Sequence, residues 1–402
     1  MVTLQDIHDA RERIREHVVL TPCTPSRTFG EMFGGEAWFK FENLQRTGSF
    51  KERGALNRML QLSGEERSRG VIAASAGNHA QGVAYHATRL GIPATIVMPE
   101  ITPLVKVLAT ERYGATVVLH GAVYDEAMAE ALRIQAREGQ TLIHPFDDPA
   151  IIAGQGTIGL ELLEQVPEMD VVVVGVGGGG VISGIATAIK ETRPEVRVIG
   201  VESEVLPAAL RSREAGELVT IPPAETIAEG IAVRRIGEHT FRQIERYVDE
   251  LVTVSEEEIA AAVLLLLERE KTVAEAACAT TVAAVVDGHI GGLKGKNVVM
   301  LLSGGNIDVS LMSRIIERGM VQDGRRAYMR VRVKDRPGAL AALTGMLAEL
   351  GANILKLDHN RSTAGLWVTE AEIDLGLETR GRAHVEQITA RLREVGYAVN
   401  PA

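Results

Sequence analysis

The sequence predicts an α/β protein with two lobes of twisted, mostly parallel sheet and a cleft between them, followed by a small ferredoxin-like domain of order β-α-β-β-α-β. Three observations carry this expectation. Short β-rich runs alternate with helical stretches of ten or more residues over roughly the first 320 positions, the pattern of parallel sheets wrapped by helices. Near Val321-Gln322-Asp323-Gly324-Arg325-Arg326 the alternation stops at a short polar linker. Beyond it, Met329, Val331 and Val333 alternate with Arg330, Arg332 and Lys334, as in a half-buried strand.

In chain order, the first helix is marked by Leu4, Ile7, Ala10 and Ile14 at helical spacing, with Thr3 placed to cap it. An apolar strand at 37–41 feeds a Thr-Gly turn and a helix with Lys51 on its first turn. Further strands are expected at 71–74, 94–99, 115–120, 141–144, 171–176, 196–202 and 297–302, with helices such as 124–138 and 156–166 between them. In the last segment, Asp335-Arg336-Pro337-Gly338 starts a helix bearing Leu340, Leu343, Leu347 and Leu350 on one face, stopped at Gly351. Strands at 353–357 and 366–373, a helix with Val385, Ile388, Leu392 and Val395, and a final strand at 397–399 complete it. The expected domains are therefore residues 1–320, with a smaller lobe at roughly 45–150, a linker at 321–326 and a separate domain at 327–402.

A chain of 402 residues, 46% hydrophobic and 24% charged, can bury a large core. Its net charge of −10 comes without a block of like charges, which disfavours nucleic acid and anionic membrane surfaces as partners and leaves a small molecule. Two cysteines, Cys23 and Cys278, cannot build a disulfide framework, and the N-terminus lacks a basic region followed by an apolar stretch, so the expected compartment is the reducing cytoplasm. The uncharged stretch 171–189 approaches membrane-spanning length, yet its glycines make it a strand, a turn and a helix.

Four strand-to-helix junctions concentrate unusual residues. Lys51 is placed where helix donors favour anions over ammonium ions, a cost that a Schiff base with a carbonyl cofactor would remove; the bland alternative is a solvated helix lysine. Ser75-Ala76-Gly77-Asn78-His79 opens a helix after the strand 71–74, and is suited to a carboxylate, with Asn78 able to donate to a ring oxygen. His79 reads more readily as a capping or supporting group than as a catalyst. Gly177, Gly178, Gly179 and Gly180 form a turn whose amides can converge on a phosphate, whereas a plain strand-to-helix turn needs only one glycine. Ser303, in Ser303-Gly304-Gly305-Asn306, stands at a strand end where its hydroxyl can meet a ring nitrogen. The glycines also satisfy G-x-G-x-x-G from Gly175, with Glu202 near the place of a ribose-binding acid, so a dinucleotide-binding oxidoreductase is the rival class. That rival leaves Lys51 and the Asn78 and Ser303 loops unemployed.

Together, Lys40-Phe41-Glu42-Asn43-Leu44-Gln45-Arg46-Thr47-Gly48-Ser49-Phe50-Lys51-Glu52-Arg53-Gly54-Ala55, the Ser75 to Gly82 loop and the tetraglycine resemble the threonine and serine ammonia-lyase branch of the fold-type II pyridoxal-phosphate enzymes. The Asp-Arg-Pro-Gly-Ala-Leu and Gly-Ala-Asn-Ile runs of the last segment resemble an ACT domain. The resemblance implies pyridoxal 5'-phosphate as cofactor, bound through Lys51 with Phe50 beside its ring. Gly177, Gly178, Gly179, Gly180 and the amide of Val181 would hold its phosphate, Asn78 would meet its phenolic oxygen and Ser303 its pyridine nitrogen. Ser75, Ala76, Gly77, Asn78 and His79 would receive the substrate carboxylate. The implied reaction is β-elimination of water from L-threonine, after which the enamine product is hydrolysed to 2-oxobutanoate and ammonia, with L-serine as a further substrate, an amino-acid effector at the ACT domain and a homo-oligomer, dimer or tetramer. A serine racemase or serine ammonia-lyase of the same fold is the alternative. No required metal is expected, because the aspartate usual near Glu202 in metal-binding relatives is missing from residues 203–208. In the related racemases a serine precedes the Gly-Asn of the carboxylate loop, and this chain has Ala76 there. Ala276 and Cys278 stand where relatives usually have Gly or Pro and Gly, which leaves the wall behind Glu275 open to question.

Overall fold

The computed structural model describes residues 1–362 and 365–401, and it divides into two compact units, Met1–Ile307 and Asp308–Ala402. The first unit contains strands β1 (Cys23–Ser26), β2 (Glu36–Phe41), β3 (Val71–Ala74), β4 (Ala94–Met98), β5 (Thr116–Leu119), β6 (Thr141–Leu142), β7 (Val171–Gly175), β8 (Arg197–Ser203), β9 (Glu250–Val254) and β10 (Asn297–Leu302). They form two sheets. The smaller, in order β5-β4-β3-β6, is parallel throughout. The larger, in order β1-β2-β10-β7-β8-β9, is parallel except for β1, which runs antiparallel to β2. Both sheets are covered by helices, so their central strands are apolar on both faces. The whole of β3 and of β7 is buried.

Several expected boundaries shift for identifiable reasons. β6 ends at Leu142, short of residue 144, because the chain turns there: Nδ1 of His144 accepts the backbone N–H groups of Phe146 and Asp147 at 3.2 and 2.8 Å. β4 ends before Pro99, which cannot donate to a neighbouring strand. β1 and β9 were not expected; β1 contains Pro25 and lies at a sheet edge, and β9 is only half buried.

One long buried helix runs from the smaller sheet to the larger. Pro149–Gln165, capped by the Asp148 carboxylate, packs on Gly180–Lys190 at backbone contact distance. A Cβ on Gly184 would lie 2.3 Å from the carbonyl oxygen of Ile152 and 2.5 Å from the amide of Gly156, so only glycine allows this approach. Pro149–Gln165 also meets Lys51–Leu60 through a fully buried charge cluster. Arg53 Nε donates to Glu42 Oε2 at 2.7 Å and its Nη1 to Glu161 Oε1 at 2.6 Å, while Lys40 Nζ donates to Glu161 Oε2 at 2.5 Å. Burial alone would raise the Glu42 carboxyl pKa, but Arg53, Lys40 and the Thr21 hydroxyl together hold it below its usual value.

The second unit begins with the helix Val309–Gln322, so the polar connection before the next strand shrinks to 323–325. The chain then forms β11 (Arg326–Lys334), the helix Ala339–Glu349, β12 (Asn353–Asn360), β13 (Glu370–Glu378), the helix Arg382–Glu394 and β14 (Ala398–Pro401). The sheet is antiparallel in order β12-β13-β11-β14, the ferredoxin-like arrangement. Met329, Val331 and Val333 bury on its inner face with Leu343, Leu347, Ile388 and Leu392. β13 starts at Glu370, not at 366, because the apolar Trp367 and Val368 stand in solvent, and it extends through the buried Leu375 and Leu377.

Candidate active site

The site is built where carboxyl ends of strands meet starts of helices. Lys51 is the first residue of Lys51–Leu60, and no side chain caps that helix. The loop before it is fixed on both sides. Glu52 Oε2 accepts from the amide and hydroxyl of Thr47 at 2.9 and 3.0 Å, Gly305 N donates to Gly48 O at 2.9 Å, and Phe50 N donates to Ser303 O at 3.1 Å. Gly48 has φ of 73°, and a Cβ there would meet Asn306 Oδ1 at 2.6 Å. Lys51 Nζ donates to the carbonyl of Pro145 at 2.9 Å and lies 5.3 Å from the Phe50 ring centroid. Burial lowers the Lys51 pKa to about 8 against the opposing pull of Glu275, so a neutral amine is accessible in mild base.

Asn78 begins the helix Asn78–Arg89, again without a side-chain cap. Its Nδ2 donates to both oxygens of Glu275 at 2.9 Å, and its Oδ1 accepts from Asn306 Nδ2 at 2.8 Å. Gly77 N donates to Ser75 Oγ at 3.2 Å, and a Cβ on Gly77 would meet open space, as expected of a loop facing a cleft. The ring of His79 is turned away from such a role: it is buried, and Nε2 donates to Ile143 O at 2.8 Å. Burial and the neighbouring Lys51 lower its pKa to about 3, so it is neutral and no general acid near neutrality. What His79 offers the loop is its backbone N–H, one of the free donors of a first helical turn.

Gly177 to Gly180 connect β7 to Gly180–Lys190, where Gly179 adopts φ of 89° and no side chain caps the helix. Neighbours press on these glycines: a Cβ would lie 2.9 Å from Ile231 Cα at Gly177, 2.2 Å from the Phe146 ring at Gly178 and 3.0 Å from Phe146 O at Gly180. Thr240 Oγ1 donates to Gly178 O at 2.8 Å. Elsewhere in this unit, Thr3, Ser63, Asp148 and Ser255 occupy the donors of helix starts, and the Asp147 carboxylate takes the amides of Glu238, His239 and Thr240. Arg27–Phe33, Leu104–Arg112, Tyr124–Glu138 and Ala276–Val286 also start without a side-chain cap. What distinguishes the starts at Lys51, Asn78 and Gly180 is their linkage through Pro145, Phe146 and Glu275, which joins an amine of lowered pKa to backbone donors suited to anions, a set that fits a phosphorylated carbonyl compound.

Other members of the site escaped sequence reasoning. The loop His144-Pro145-Phe146-Asp147 joins the two halves: Pro145 takes the Lys51 amine, Phe146 covers the glycine turn and Asp147 caps Glu238–Tyr247. Its strand-end position before the cap Asp148 was the available signal. Asn306 ties Thr47 O to Asn78 at 2.8 Å each, beside the Ser303 already singled out. Ser303 itself is buried, and its carbonyl supports the Lys51 loop. Ala276 and Cys278, behind Glu275, are both buried. Glu275 N donates to Gly304 O at 3.0 Å, and Gly230 and Gly304 provide the close approaches. Cys278 is a buried thiol, its pKa pushed up to about 12 by desolvation. Glu202 is not free to meet a ribose: its two oxygens accept the amides of Ala209 and Leu210 at 2.8 Å each, which caps Ala208–Ala215.

Comparison with known proteins follows the same division. Residues 14–304 match the family described as pyridoxal-phosphate dependent enzyme, and residues 327–397 match the ACT domain. The chain is 51% identical to an L-threonine ammonia-lyase of Thermotoga maritima over 399 residues, 99% of each chain. Among solved structures it is similar to the processed form of threonine deaminase isoform 2 from Solanum lycopersicum, with TM-score 0.75 and 37% identity over 78% of this chain and 92% of that one. It is also similar to serine racemase from Dictyostelium discoideum, with TM-score 0.73 and 38% identity over 77% of this chain and 99% of that one.

Proposed function

The chain belongs to the pyridoxal-phosphate-dependent enzyme family and carries an ACT domain, and from that premise we propose that it is an L-threonine ammonia-lyase. It converts L-threonine to 2-oxobutanoate and ammonia, takes L-serine to pyruvate as a second reaction, and answers to an amino-acid effector through the ACT domain. The observation that carries this reading is likeness to an L-threonine ammonia-lyase along 99% of both chains, catalytic and ACT segments together. Its cofactor is pyridoxal 5'-phosphate, which when bound supplies an electrophilic carbon for the substrate amine and an electron sink for the carbon that loses its proton.

The chain's own residues do the rest. Lys51 would hold the cofactor and, as a free amine, would serve as the base for the α-proton; its pKa lowered to about 8 leaves a useful neutral fraction at mildly alkaline pH. Gly177, Gly178, Gly179, Gly180 and the amide of Val181 would hold the phosphate at the uncapped helix start. Asn78 would donate to the phenolic oxygen, Ser303 would offer a neutral hydroxyl to the ring nitrogen, and Phe50 would lie beside the ring. Ser75, Ala76, Gly77, Asn78 and the amide of His79 orient the substrate carboxylate. Ile231 and Phe146, pressed onto the glycine turn, exclude water from its flank. A serine racemase is the second reading, favoured by the structural likeness to the Dictyostelium enzyme, but the methyl of Ala76 carries no proton to the opposite face.

Edge strands β12 and β14 of the ACT sheet are suited to pairing with a second copy, and we place the enzyme as a dimer or tetramer. Among the described residues no helix is long and apolar enough to cross a membrane, and Cys23 and Cys278 are unpaired, in keeping with the cytoplasm. The test is product analysis of the cofactor-loaded protein with L-threonine and L-serine, with and without branched-chain amino acids. Equimolar 2-oxobutanoate and ammonia from threonine are expected; D-serine as the main product, or no keto acid, would refute the assignment.

A further inference from the structure

Glu275 opens the helix Ala276–Val286 yet does not cap it. Its carboxylate turns instead to Asn78, whose Nδ2 lies 2.9 Å from both oxygens. Two glycines close around the pair: a Cβ on Gly304 would lie 2.5 Å from Glu275 Oε1 and 3.1 Å from Asn78 Nδ2, and one on Gly230 would lie 3.2 Å from Glu275 Oε1. The other end of the Asn78 amide is also committed, because Oδ1 accepts from Asn306 Nδ2, which in turn donates to Thr47 O in the Lys51 loop. Flipping the Asn78 amide would set oxygen against a carboxylate and nitrogen against nitrogen, so its orientation is fixed. One Nδ2 hydrogen faces the carboxylate. The second is left to donate elsewhere.

We propose that Glu275 is a positioning residue: its carboxylate locks Asn78 so that the second Nδ2 hydrogen is aimed at the ring oxygen of the cofactor on Lys51, and its charge supports the protonated Lys51 amine. This rests on the assignment of Lys51 and pyridoxal phosphate above. The charged and titratable groups around the pair are Lys51, Lys106 and Glu229, which act on Glu275, the Cys278 thiol, which feels Glu275, and His79 and His144, which feel Lys51. Burial raises Glu275 to about 7, with Asn78, Lys51 and Lys106 pulling it back, so the carboxylate is ionised in mild base.

The experiment is a double-mutant cycle with Glu275→Gln and Asn78→Ala, read as pyridoxal-phosphate affinity of the stripped protein and as the pH midpoint of the rate at which it takes up the cofactor. Glu275→Gln alone should weaken affinity by about tenfold to a hundredfold, the worth of a hydrogen bond to a charged group. In the Asn78→Ala background it should add no further loss, since the effect passes through Asn78. Loss of the anion should also move the uptake midpoint to lower pH, while Asn78→Ala leaves the midpoint in place. Additive losses with an unmoved midpoint would overturn the proposal, as would a lowered melting temperature with unchanged affinity. If Glu275→Gln does not fold, Glu275→Asp serves: it keeps the charge, and so should keep the midpoint while losing affinity. Failure of the wild type to form a borohydride-reducible adduct, or equal uptake by Lys51→Ala, would instead sink the cofactor assignment itself.

Discussion

Arg53→Met tests the buried charge cluster beneath the Lys51 helix. The guanidinium makes contacts of 2.7 and 2.8 Å to Glu42 and 2.6 and 2.9 Å to Glu161, and none of Arg53 is exposed. Methionine keeps much of the volume, so the change removes charge more than packing. Lys40 would then face two buried carboxylates, and the uncompensated charge should cost about 3–5 kcal/mol. Against a typical total of about 5–15 kcal/mol this is a large fraction. With a urea slope of about 2 kcal/mol per M, the unfolding midpoint should fall by roughly 1.5–2.5 M. The sign of the pH dependence is fixed by linkage. In the wild type Glu42 is held below its ordinary pKa, so its contribution is complete above about pH 4.5 and is lost as pH falls through the folded value. In the variant a carboxyl pKa rises above its unfolded value, so the penalty is largest at pH 8 and shrinks toward about pH 4.5. Urea unfolding followed by far-UV circular dichroism at pH 8 and pH 5.5 measures both. A loss under about 1 kcal/mol, equal at the two pH values, would refute the reasoning.

Other expectations follow from the same geometry. Gly178→Ala would drive a Cβ into the Phe146 ring at 2.2 Å, in the loop whose Pro145 holds Lys51, and should lower cofactor affinity more than tenfold in a fluorescence titration; wild-type affinity would show the turn to be plastic. Ending the chain after Ile307, where the compact units divide, should leave deamination intact and abolish any response to an amino-acid effector. A truncated protein that still responds would place the effector site in the first unit. Ala76→Ser should raise D-serine formation from L-serine, since a positioned proton carrier is worth about two to four orders of magnitude in rate; chiral chromatography after partial turnover with no D-serine would argue against that placement.

The parts of the candidate site that lie at strand-to-helix junctions could be picked out from the sequence, because a lysine, an asparagine loop or four glycines at such a junction has few purely structural uses. The same grammar located the parallel strands and the ferredoxin-like unit. Long-range pairing was not legible. Nothing in the spacing of Lys40, Glu42, Arg53 and Glu161 marks them as partners, and only the fold brings residues up to 121 positions apart into one buried cluster. Glu275 could be seen as part of a wall but not as the anchor of Asn78, since that depends on glycines at 230 and 304. β13 was misplaced because Leu366-Trp367-Val368 is apolar enough for a strand yet contributes an exposed turn. The ring of His79 read as a supporting group more readily than as a catalyst, and it is committed to Ile143 O, a partner that only the fold identifies.

The central claim is that Lys51 carries the cofactor. Borohydride reduction of the pyridoxal-phosphate-loaded protein, followed by proteolysis and mass mapping, tests it directly. The account predicts a single phosphopyridoxyl adduct, on Lys51, absent from Lys51→Ala; an adduct on another lysine of the active protein, or full activity in Lys51→Ala, would contradict it.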